Sequence, residues 1–527
     1  MLSTVYTAVL HGLEAELVTV ETDLSPGLPT LTMVGLPDIT VREAKERIRS
    51  AIINSGYAFP SKRITVNLSP ANTRKEGSHF DLPIAVGILI STGILETGHL
   101  KEYAFLGELS LTGSINRVDG ALPLVLGLKE RGIERVILPE DNLAEASLVQ
   151  GIRLYPAADL SQLVAHFGGG MLIRENQKRE LAAGIKGIYE LDYADVLGQE
   201  RVKRAVTICC AGGHGMLLMG PPGSGKSMIA KRMATVLPEM TYEECLDVTK
   251  IYSVGGHLSR ELPLIQQRPF RAPHHTVSGA ALIGGGSRPS PGEISLAHRG
   301  VLFLDELPEF SKRVLEMLRQ PLEDNQVTIA RVNGNFTFPS QVMLVAASNP
   351  CPCGYFGSPL HQCTCSSAQI HRYMDKLSGP LLDRIDLHVK VLPVDCQALS
   401  RSESGPPVVS SADMRSQVEA ARRRQRERYE TEADSQSRRN QGDSAVLLNG
   451  QLSPTLIRRH CQLDQDGKQL METAFKAYGL SARAYSRILK IARTIADLQG
   501  SSQIQTAHVA EALSYRTMDR HGAGGSL

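Results

Sequence analysis

The segment Gly220-Pro-Pro-Gly-Ser-Gly-Lys-Ser227 constrains the fold of this 527-residue chain more than any other feature. It follows the apolar run Gly215 to Met219, which predicts a strand, and it opens into a helical pattern that starts at Met228. Glycines let backbone N–H groups surround phosphate oxygens, and a helix N-terminus favours negative charge. The sequence therefore predicts a parallel sheet wound by helices, with a nucleotide bound at the end of one strand.

Two residues of this loop have specific predicted tasks. Lys226 neutralises the charge of the terminal phosphates, and the Ser227 hydroxyl binds Mg²⁺. The other predicted members of the ATP-binding loop are Gly220, Pro221, Pro222, Gly223, Ser224 and Gly225.

A second apolar run, Val301 to Leu304, ends in two adjacent acids. This pattern is typical of a buried strand that presents carboxylates to a bound nucleotide. We expect Asp305 to hold the Mg²⁺ and Glu306 to orient or deprotonate the attacking water. Together with the phosphate-binding loop, these acids predict hydrolysis of ATP.

Two further residues are candidates for the ATP site because of their order in the chain. Asn349 follows the predicted strand Val342 to Ala346, and its amide can hold the attacking water. Arg384 lies in a later segment, from which it can reach the γ-phosphate of a neighbouring subunit. Alone, such an Asn is commonly a turn residue and such an Arg a surface ion pair, so their position after Asp305 and Glu306 is what supports these roles.

These motifs, in this order, resemble AAA+ ATPases of the magnesium-chelatase-like group and, within it, the ComM/YifB family. The resemblance implies that Asn349 is sensor 1, that Arg384 is a finger acting on an adjacent subunit, and that Arg483 is sensor 2, with Arg487 as the alternative. It also implies a homohexameric ring. Further segments that carry the resemblance are Gly198–Glu200, Arg271–His275, Ser348–Cys353, Ser378–Asp386 and Leu480–Arg487.

Two insertions typical of this group support a DNA substrate. Residues 268–299 are glycine-rich, and Val327 to Phe338 alternates around an Asn-Gly turn, which predicts a β-hairpin. In related helicases such hairpins project into the pore and push on DNA. Contacts between subunits, or metal binding by the two adjacent histidines, are the alternatives. The predicted DNA contacts are Arg271, His274, His275, Arg288 and Arg331.

Four of the nine cysteines are clustered directly after Asn349. Their C-x-C spacing is tighter than the usual zinc-binding spacing, so a closed structural Zn²⁺ site competes with a set of four reduced thiols. The candidate ligands are Cys351, Cys353, Cys363 and Cys365.

The first block of the chain resembles the Lon protease domain in the segments Glu76–Ala85, Gly107–Gly113 and Arg135–Asn142. Lon chemistry needs a serine nucleophile and a lysine that deprotonates it. The serine position falls on Asp81 and the lysine position on Leu124, while the nearby Ser78 and Lys129 are offset. The resemblance therefore implies a Lon-like fold without proteolysis.

Breaks in composition at Gly168–Gly170 and at the Ser/Pro-rich Ser400–Ser411 divide the chain, and Pro454 marks a predicted helix start. The predicted fold class is multidomain α/β. It comprises a Lon-like α+β domain (1–170), a linker (171–191), an AAA+ core with hairpin insertions and the cysteine loop (192–396), a second linker (397–411), a helical lid (412–520) and a disordered tail (521–527).

Charge is unevenly distributed although the total is only +2. It is about −5 for residues 1–170, about +2 for 171–411 and about +5 for 412–527. A ring needs positive charge only where DNA passes, so the total does not exclude nucleic acid. The basic segment Arg415–Arg428 offers phosphate contact, with a solvated face or a subunit seam as the alternatives. A second set of basic residues that could contact phosphates is Arg42, Lys45, Lys62, Arg63, Arg74 and Lys75.

The resemblance implies an ATP-driven DNA translocase or helicase that promotes branch migration of recombination intermediates in natural transformation. Its expected partners are single-stranded and branched DNA and further copies of itself. The alternatives are an ATP-dependent protein remodeller or protease, and a magnesium-chelatase motor subunit. No secretory signal and no apolar run of the ~20 residues that span a membrane is seen, so a cytoplasmic location without membrane attachment is expected.

Overall fold

In the computed structural model of this chain, the described residues are 2–96, 98–176, 189–259, 261–286, 289–331, 334–358, 361–377, 379–382, 384–393, 408–430 and 447–516. The predicted tail, the greater part of both predicted linkers, and Arg288 lie outside them.

A seven-stranded mixed sheet forms the centre of the amino-terminal part. Its first two strands, Leu2–His11 (β1) and Glu14–Ser25 (β2), pair antiparallel and alternate between more and less buried residues, as the two-residue period of a strand requires. The other strands of this part are Thr30–Val34 (β3), Arg63–Ser69 (β4), Tyr103–Phe105 (β5), Glu108–Leu109 (β6), Ile115–Asn116 (β7), Arg135–Pro139 (β8) and Arg153–Ala157 (β9). The order in the sheet is β3-β4-β2-β1-β5-β8-β9.

Helices cover this sheet. One of them is buried along its whole length from Asp81 to Ser91, and it ends just before the chain turns at Gly93 (φ +80). The Asp38 side chain caps another helix by accepting from Val41 N. The five helices are Ile39–Asn54 (α1), Asp81–Ser91 (α2), Ala121–Glu130 (α3), Leu143–Ala146 (α4) and Leu160–Phe167 (α5).

The middle part contains a five-stranded, all-parallel sheet. Its central strands are fully buried apolar runs, as expected for a sheet covered on both faces. The strands are Met216–Met219 (β10), Phe270–Arg271 (β11), Val301–Leu304 (β14), Met343–Ser348 (β17) and Leu387–Lys390 (β18), in the order β11-β14-β17-β10-β18. This is the sheet that the sequence predicts.

Two small hairpins and a set of helices surround this sheet. The hairpins are Gly284–Gly285 (β12) with Ser290–Pro291 (β13), and Gln326–Arg331 (β15) with Gly334–Pro339 (β16). The second confirms the hairpin predicted from the alternating pattern. The helices are Glu200–Gly212 (α6), Lys226–Val236 (α7), Tyr242–Val254 (α8), Gly279–Ile283 (α9), Glu293–Leu296 (α10), Lys312–Met317 (α11), Arg319–Asp324 (α12), Ser367–Met374 (α13) and Gly379–Leu382 (α14).

The carboxyl-terminal part is helical. Pro454 begins a helix capped by Ser453, as the sequence predicts. No helix in the described part of the chain combines the length and apolarity needed to cross a membrane. The helices are Ser411–Glu430 (α15), Pro454–His460 (α16), Gln465–Tyr478 (α17), Ala482–Leu498 (α18) and Thr506–Ser514 (α19).

The amino-terminal part contacts the middle part at several places, two of which bear on the hairpin and on α8. The Ser253 hydroxyl at the end of α8 donates to the buried carboxylate of Glu145. The turn between β1 and β2 touches the β15–β16 hairpin: the His11 and Phe336 rings lie 6.0 Å apart, and a Cβ on Gly12 would come within 3.0 Å of the Thr337 carbonyl oxygen. The sheet domain is thus attached to the flank of the hairpin.

Candidate functional site

Nine of the residues predicted for the ATP site, together with Met228, line one cleft of about 370 Å³. The cleft lies at the carboxyl edge of the parallel sheet, where the ends of adjacent strands meet. Gly223 (φ +76) and Gly225 (φ +88) adopt the left-handed conformation that glycine tolerates best, and no atom lies within 4 Å of where a Cβ of Gly223 would point. The nine predicted residues are Pro222, Gly223, Ser224, Gly225, Lys226, Ser227, Asp305, Glu306 and Asn349.

The Lys226 ammonium is held at the base of the cleft. It donates to the Gly220 carbonyl at 2.8 Å, to the Pro221 carbonyl at 2.9 Å and to Oδ1 of Asn349 at 3.1 Å. Burial lowers the pKa of Lys226, and the carboxylates of Asp305 and Glu306 act in the opposite direction. A fixed cation at the end of the strand is what a triphosphate requires.

Ser227 and Asp305 form the part of the cleft suited to a divalent cation. The Ser227 hydroxyl donates to Oδ2 of Asp305 at 2.6 Å, so a hydroxyl and a carboxylate, both hard oxygen ligands, lie side by side. These residues fit a Mg²⁺ ion bound together with nucleotide phosphates. The backbone N–H of Glu306 donates to Oδ1 of Asp305 at 2.9 Å, which orients the carboxylate.

Glu306 has an unusual backbone conformation and a partner that sequence reasoning missed. Its φ is +52, a left-handed value that is uncommon for a residue with a Cβ, and its side chain is exposed towards the cleft. Oε2 of Glu306 lies 3.4 Å from Nδ1 of His275. The signal was the position of His275 just after β11, which lies beside β14 in the sheet.

The four clustered cysteines converge on one point beside this cleft. The Sγ atom of Cys351 lies 3.3 Å from that of Cys353 and 3.7 Å from that of Cys363, and all four sulfur atoms lie within 4.8 Å of one another. Backbone N–H groups, that of Tyr355 above all, lower the pKa of Cys353 to about 5, which favours the thiolate form that binds metals. The separations suit a tetrahedral Zn²⁺, for which Zn–S bonds of about 2.3 Å place sulfurs about 3.8 Å apart.

Comparison with known proteins identifies the family. Residues 192–399 match the family described as "Magnesium chelatase, subunit ChlI", residues 409–516 match its C-terminal counterpart, and residues 20–142 match "Subunit ChlI of Mg-chelatase". The chain is 45% identical to Competence protein ComM of Haemophilus influenzae over 523 residues, which is 98% of each protein. The chain belongs to the ComM/YifB family.

A second full-length relative supports this assignment, and a third protein matches part of the chain. The ComM/YifB chain described here is 43% identical to the uncharacterized protein YifB of Escherichia coli over 519 residues, again 98% of both proteins. Lon protease of Rhizobium meliloti is 26% identical over 164 residues, which is 29% of this chain and 20% of that protein. Membership of the magnesium-chelatase-like AAA+ group implies ATPase activity with ATP and Mg²⁺.

The arginines predicted to act as finger and sensor do not line the cleft described above. Arg384 pairs with Glu323. Arg483 is exposed on α18, whereas Arg487 lies 3.6 Å from Oδ1 of Asp386. The finger role of Arg384 therefore stays a prediction, as does the choice between Arg483 and Arg487.

A buried hydrogen-bond network joins the ComM/YifB motor to its helical part, and the sequence carries no motif that predicts it. Nδ1 of His214 lies 3.0 Å from Oδ2 of Asp386, and its Nε2 lies 2.8 Å from the Thr494 hydroxyl. His214 is fully buried, and its hydrogen bond contributes to the lowered pKa of Asp386 despite the burial of that carboxyl. Asp386, which lies in the segment that carries Arg384, thus faces both His214 of the motor and Arg487 of α18.

The predicted DNA-contact residues occupy different environments. Arg271 makes a two-bond ion pair with Glu293, with both distances 2.7 Å, and is half-buried. His274 is exposed and stacks on His275 with 4.1 Å between ring centroids. Arg331 is exposed beside the hairpin turn, next to Gly285 of the other hairpin.

Two basic segments differ from expectation. Lys75 is fully buried and donates to the carbonyls of Pro70 and Thr73, so it is wrong to place it on a phosphate-binding patch. In the Arg415–Arg428 helix, Arg415 and Arg422 donate to carbonyls of the motor, at Thr235 and Cys210. Arg424 and Arg428 donate to Asp497 of the helical part. These four arginines join parts of one chain, and Arg423 and Arg426 are exposed.

In the Lon-like part, the residue at the serine position, Asp81, belongs to a buried ion pair, and the residue at the lysine position, Leu124, is apolar. Nε and Nη2 of Arg47 donate to the two carboxylate oxygens of Asp81 at 2.8 and 3.0 Å, and Asp81 is fully buried. Leu124 is buried in the apolar core. Neither side chain supplies a hydroxyl nucleophile or an amine base.

Proposed function

We propose that this protein is an ATP-driven DNA translocase that forms a homohexameric ring and promotes branch migration of recombination intermediates during natural transformation. The proposal is supported by the likeness to a relative named as a competence protein and by a complete nucleotide cleft. The observation that carries it is the contact between His275 and Glu306, because it joins a predicted DNA-binding segment to the residue expected to activate water.

The path from Arg331, a proposed DNA contact, to the ATP cleft is short. The segment 272–286 begins at β11, passes His274 and His275, and continues into α9 and the β12–β13 hairpin. That hairpin lies against Arg331 of the β15–β16 hairpin. A DNA strand that displaces Arg331 would move this segment and therefore His275. Changing the position of Glu306 by this route would couple hydrolysis to movement along DNA.

A protein substrate is the weaker alternative. The buried Arg47–Asp81 pair and Leu124 stand where proteolysis would need its serine and lysine. Exposed Arg331 and His274 suit phosphate groups better than an unfolded peptide.

ATPase measurements with different DNA structures test the proposal. We expect single-stranded DNA or a four-way junction to stimulate hydrolysis, and we expect Glu306→Gln to abolish both hydrolysis and strand separation. Arg331→Ala should reduce the stimulation, whereas Arg313→Ala, an exposed arginine on α11, should not. The absence of stimulation and of binding with single-stranded, duplex and branched DNA would contradict the proposal.

We further propose that the four-cysteine cluster binds one structural Zn²⁺. All four ligand positions are taken by thiols, which leaves no open position for a reacting water. Metal analysis of protein purified without chelators should give one zinc per chain.

A further inference from the structure

We infer that zinc bound by the four-cysteine cluster sets the affinity of the neighbouring cleft for ATP. The inference rests on the zinc site proposed above and concerns nucleotide binding alone, so it does not depend on DNA translocation. Its basis is a direct contact between the cysteine loop and the phosphate-binding loop.

That contact lies between Gly354 and Pro222. A Cβ added to Gly354 would lie 2.6 Å from Cδ and 2.7 Å from Cγ of the Pro222 ring, so the Gly354 backbone lies against this ring with no room for a side chain. The same Cβ would lie 3.9 Å from Cγ of Asn349. Gly354 therefore packs on the phosphate-binding loop and beside the amide that receives the Lys226 hydrogen bond.

The cysteines control where Gly354 lies. Gly354 follows Cys353 directly, and its N–H donates to the Cys351 carbonyl at 2.9 Å. The Phe356 N–H donates to Sγ of Cys351 at 3.3 Å. The turn that carries Gly354 is thus formed around the sulfur atoms.

The second pair of cysteines closes the loop. The described part of the segment between β17 and α13 contains no helix or strand. Cys363 and Cys365 come from its far end and meet Cys351 and Cys353 at the cluster. A metal that joins both ends removes most of the conformational freedom of the loop, and a preformed turn binds Pro222 without an ordering cost.

Loss of the metal should therefore act on the cleft before it acts on the rest of the motor. With the loop released, Gly354 no longer supports Pro222, and the geometry of Lys226 and Asn349 is no longer fixed. Because ATP would then have to order the loop on binding, its apparent affinity should fall.

Two glycines of the loop provide a matched test. Gly354 (φ +86) and Gly357 (φ +71) both have left-handed backbones, so alanine strains each in the same way, but no atom lies within 4 Å of a Cβ at Gly357. We expect Gly354→Ala to keep its zinc and to weaken binding of a fluorescent ATP analogue about tenfold, the effect of forcing a methyl group into a closed contact. Gly357→Ala should keep both zinc and affinity.

Metal removal provides the second measurement. Chelation of the full-length protein should weaken analogue binding, and added Zn²⁺ should restore it. Cys363→Ser should lose zinc and show the same weakened binding, whereas Cys461→Ser, a cysteine of the helical part, should not. Circular dichroism identifies any variant that has unfolded, and in that case the comparison of Gly354→Ala with Gly357→Ala decides.

Each negative outcome has a distinct meaning. If the protein contains zinc but removal of the zinc leaves the affinity for nucleotide unchanged, the coupling is overturned and the zinc site remains supported. A full-length protein that binds the analogue tightly while holding no metal would overturn both. Equal affinities for the two glycine variants would show that the Gly354–Pro222 contact does not support the cleft.

Discussion

The Lys226 ammonium donates a hydrogen bond to the amide oxygen of Asn349 across 3.1 Å. The two residues follow adjacent parallel strands, β10 and β17, which pair in register from Met216–Val345 to Met219–Ser348. The bond therefore joins the phosphate-binding loop to the end of β17, and the backbone pairing of the two strands holds both segments in place. A substitution at either residue should therefore alter the position of the other side chain.

Replacement of Asn349 by Ala should lower the kcat of ATP hydrolysis by about 10²-fold, the usual effect of removing one positioned polar group from a reacting centre. Binding of an ATP analogue should change much less, because Lys226 keeps its two carbonyl partners. Steady-state kinetics and analogue titration separate the two effects. The control is Asn116→Ala, at an exposed position of the amino-terminal sheet domain.

Replacement of His275 by Ala should remove the stimulation of ATPase activity by DNA, since Glu306 loses the contact that joins it to the hairpin segment. The quantity to compare is the ratio of rates with and without a four-way junction.

Thr276→Ala is the matched control for this experiment. Thr276 follows His275 directly, is exposed, and is not among the predicted DNA contacts. If both variants lose stimulation equally, the contact with Glu306 is not the cause.

Removal of the Arg47 guanidinium should destabilise the amino-terminal domain by about 3–5 kcal/mol, because it leaves the Asp81 carboxylate buried without its partner. Urea unfolding of Arg47→Met measures the loss, and Arg42→Met, an exposed arginine on the same helix, is the control. The double variant Arg47→Met/Asp81→Leu should recover much of the stability. Failure to recover it would mean that Arg47 acts through packing instead of charge.

Acid should weaken the motor through His298. Its Nδ1 accepts from the Gln341 N–H at 3.1 Å, and burial, with Arg299 and Arg268 nearby, lowers its pKa to about 3. Below the ordinary pKa of 6.5 the unfolded chain binds a proton that the folded chain excludes. The free energy of unfolding should therefore fall as pH drops below that value, by about 1.4 kcal/mol per pH unit for this group.

The His298→Asn variant keeps an acceptor for Gln341 and removes the titrating ring. Its unfolding free energy should depend less on pH than that of the unaltered protein between pH values of about 7 and 5. The exposed His257→Asn variant should retain the original dependence. Parallel curves for all three proteins would show that His298 is not responsible.

Functional residues are predicted correctly from the sequence where they lie in short segments with clear strand, loop and helix signals. Gly220–Ser227 and Val301–Glu306 are short segments whose strand, loop and helix signals lie side by side, and the structure brings them into one cleft. The hairpin from Gln326 to Pro339 is likewise set by alternation and its turn.

Contacts between segments that are distant along the chain could not be predicted from the sequence. Nothing local to His275 shows that it faces Glu306, and His214, Asp386 and Thr494 meet only because the helical part folds back on the motor. The burial of Lys75 was missed for the same reason, since backbone carbonyls that receive its ammonium carry no side-chain signal. Helix ends such as Ser91 depend on a glycine turn two residues later.

The contact between Gly12 and Thr337 also bears on how the protein matures. The sheet domain that carries Gly12 has a core of its own and leaves the ribosome before the hairpin, whereas Thr337 emerges only after most of the parallel sheet has been synthesised. Docking of the turn onto the hairpin is therefore a late step, and it closes one of the longest loops in the chain. Until that step is complete, a newly made chain would hold its sheet domain beside a hairpin without its support.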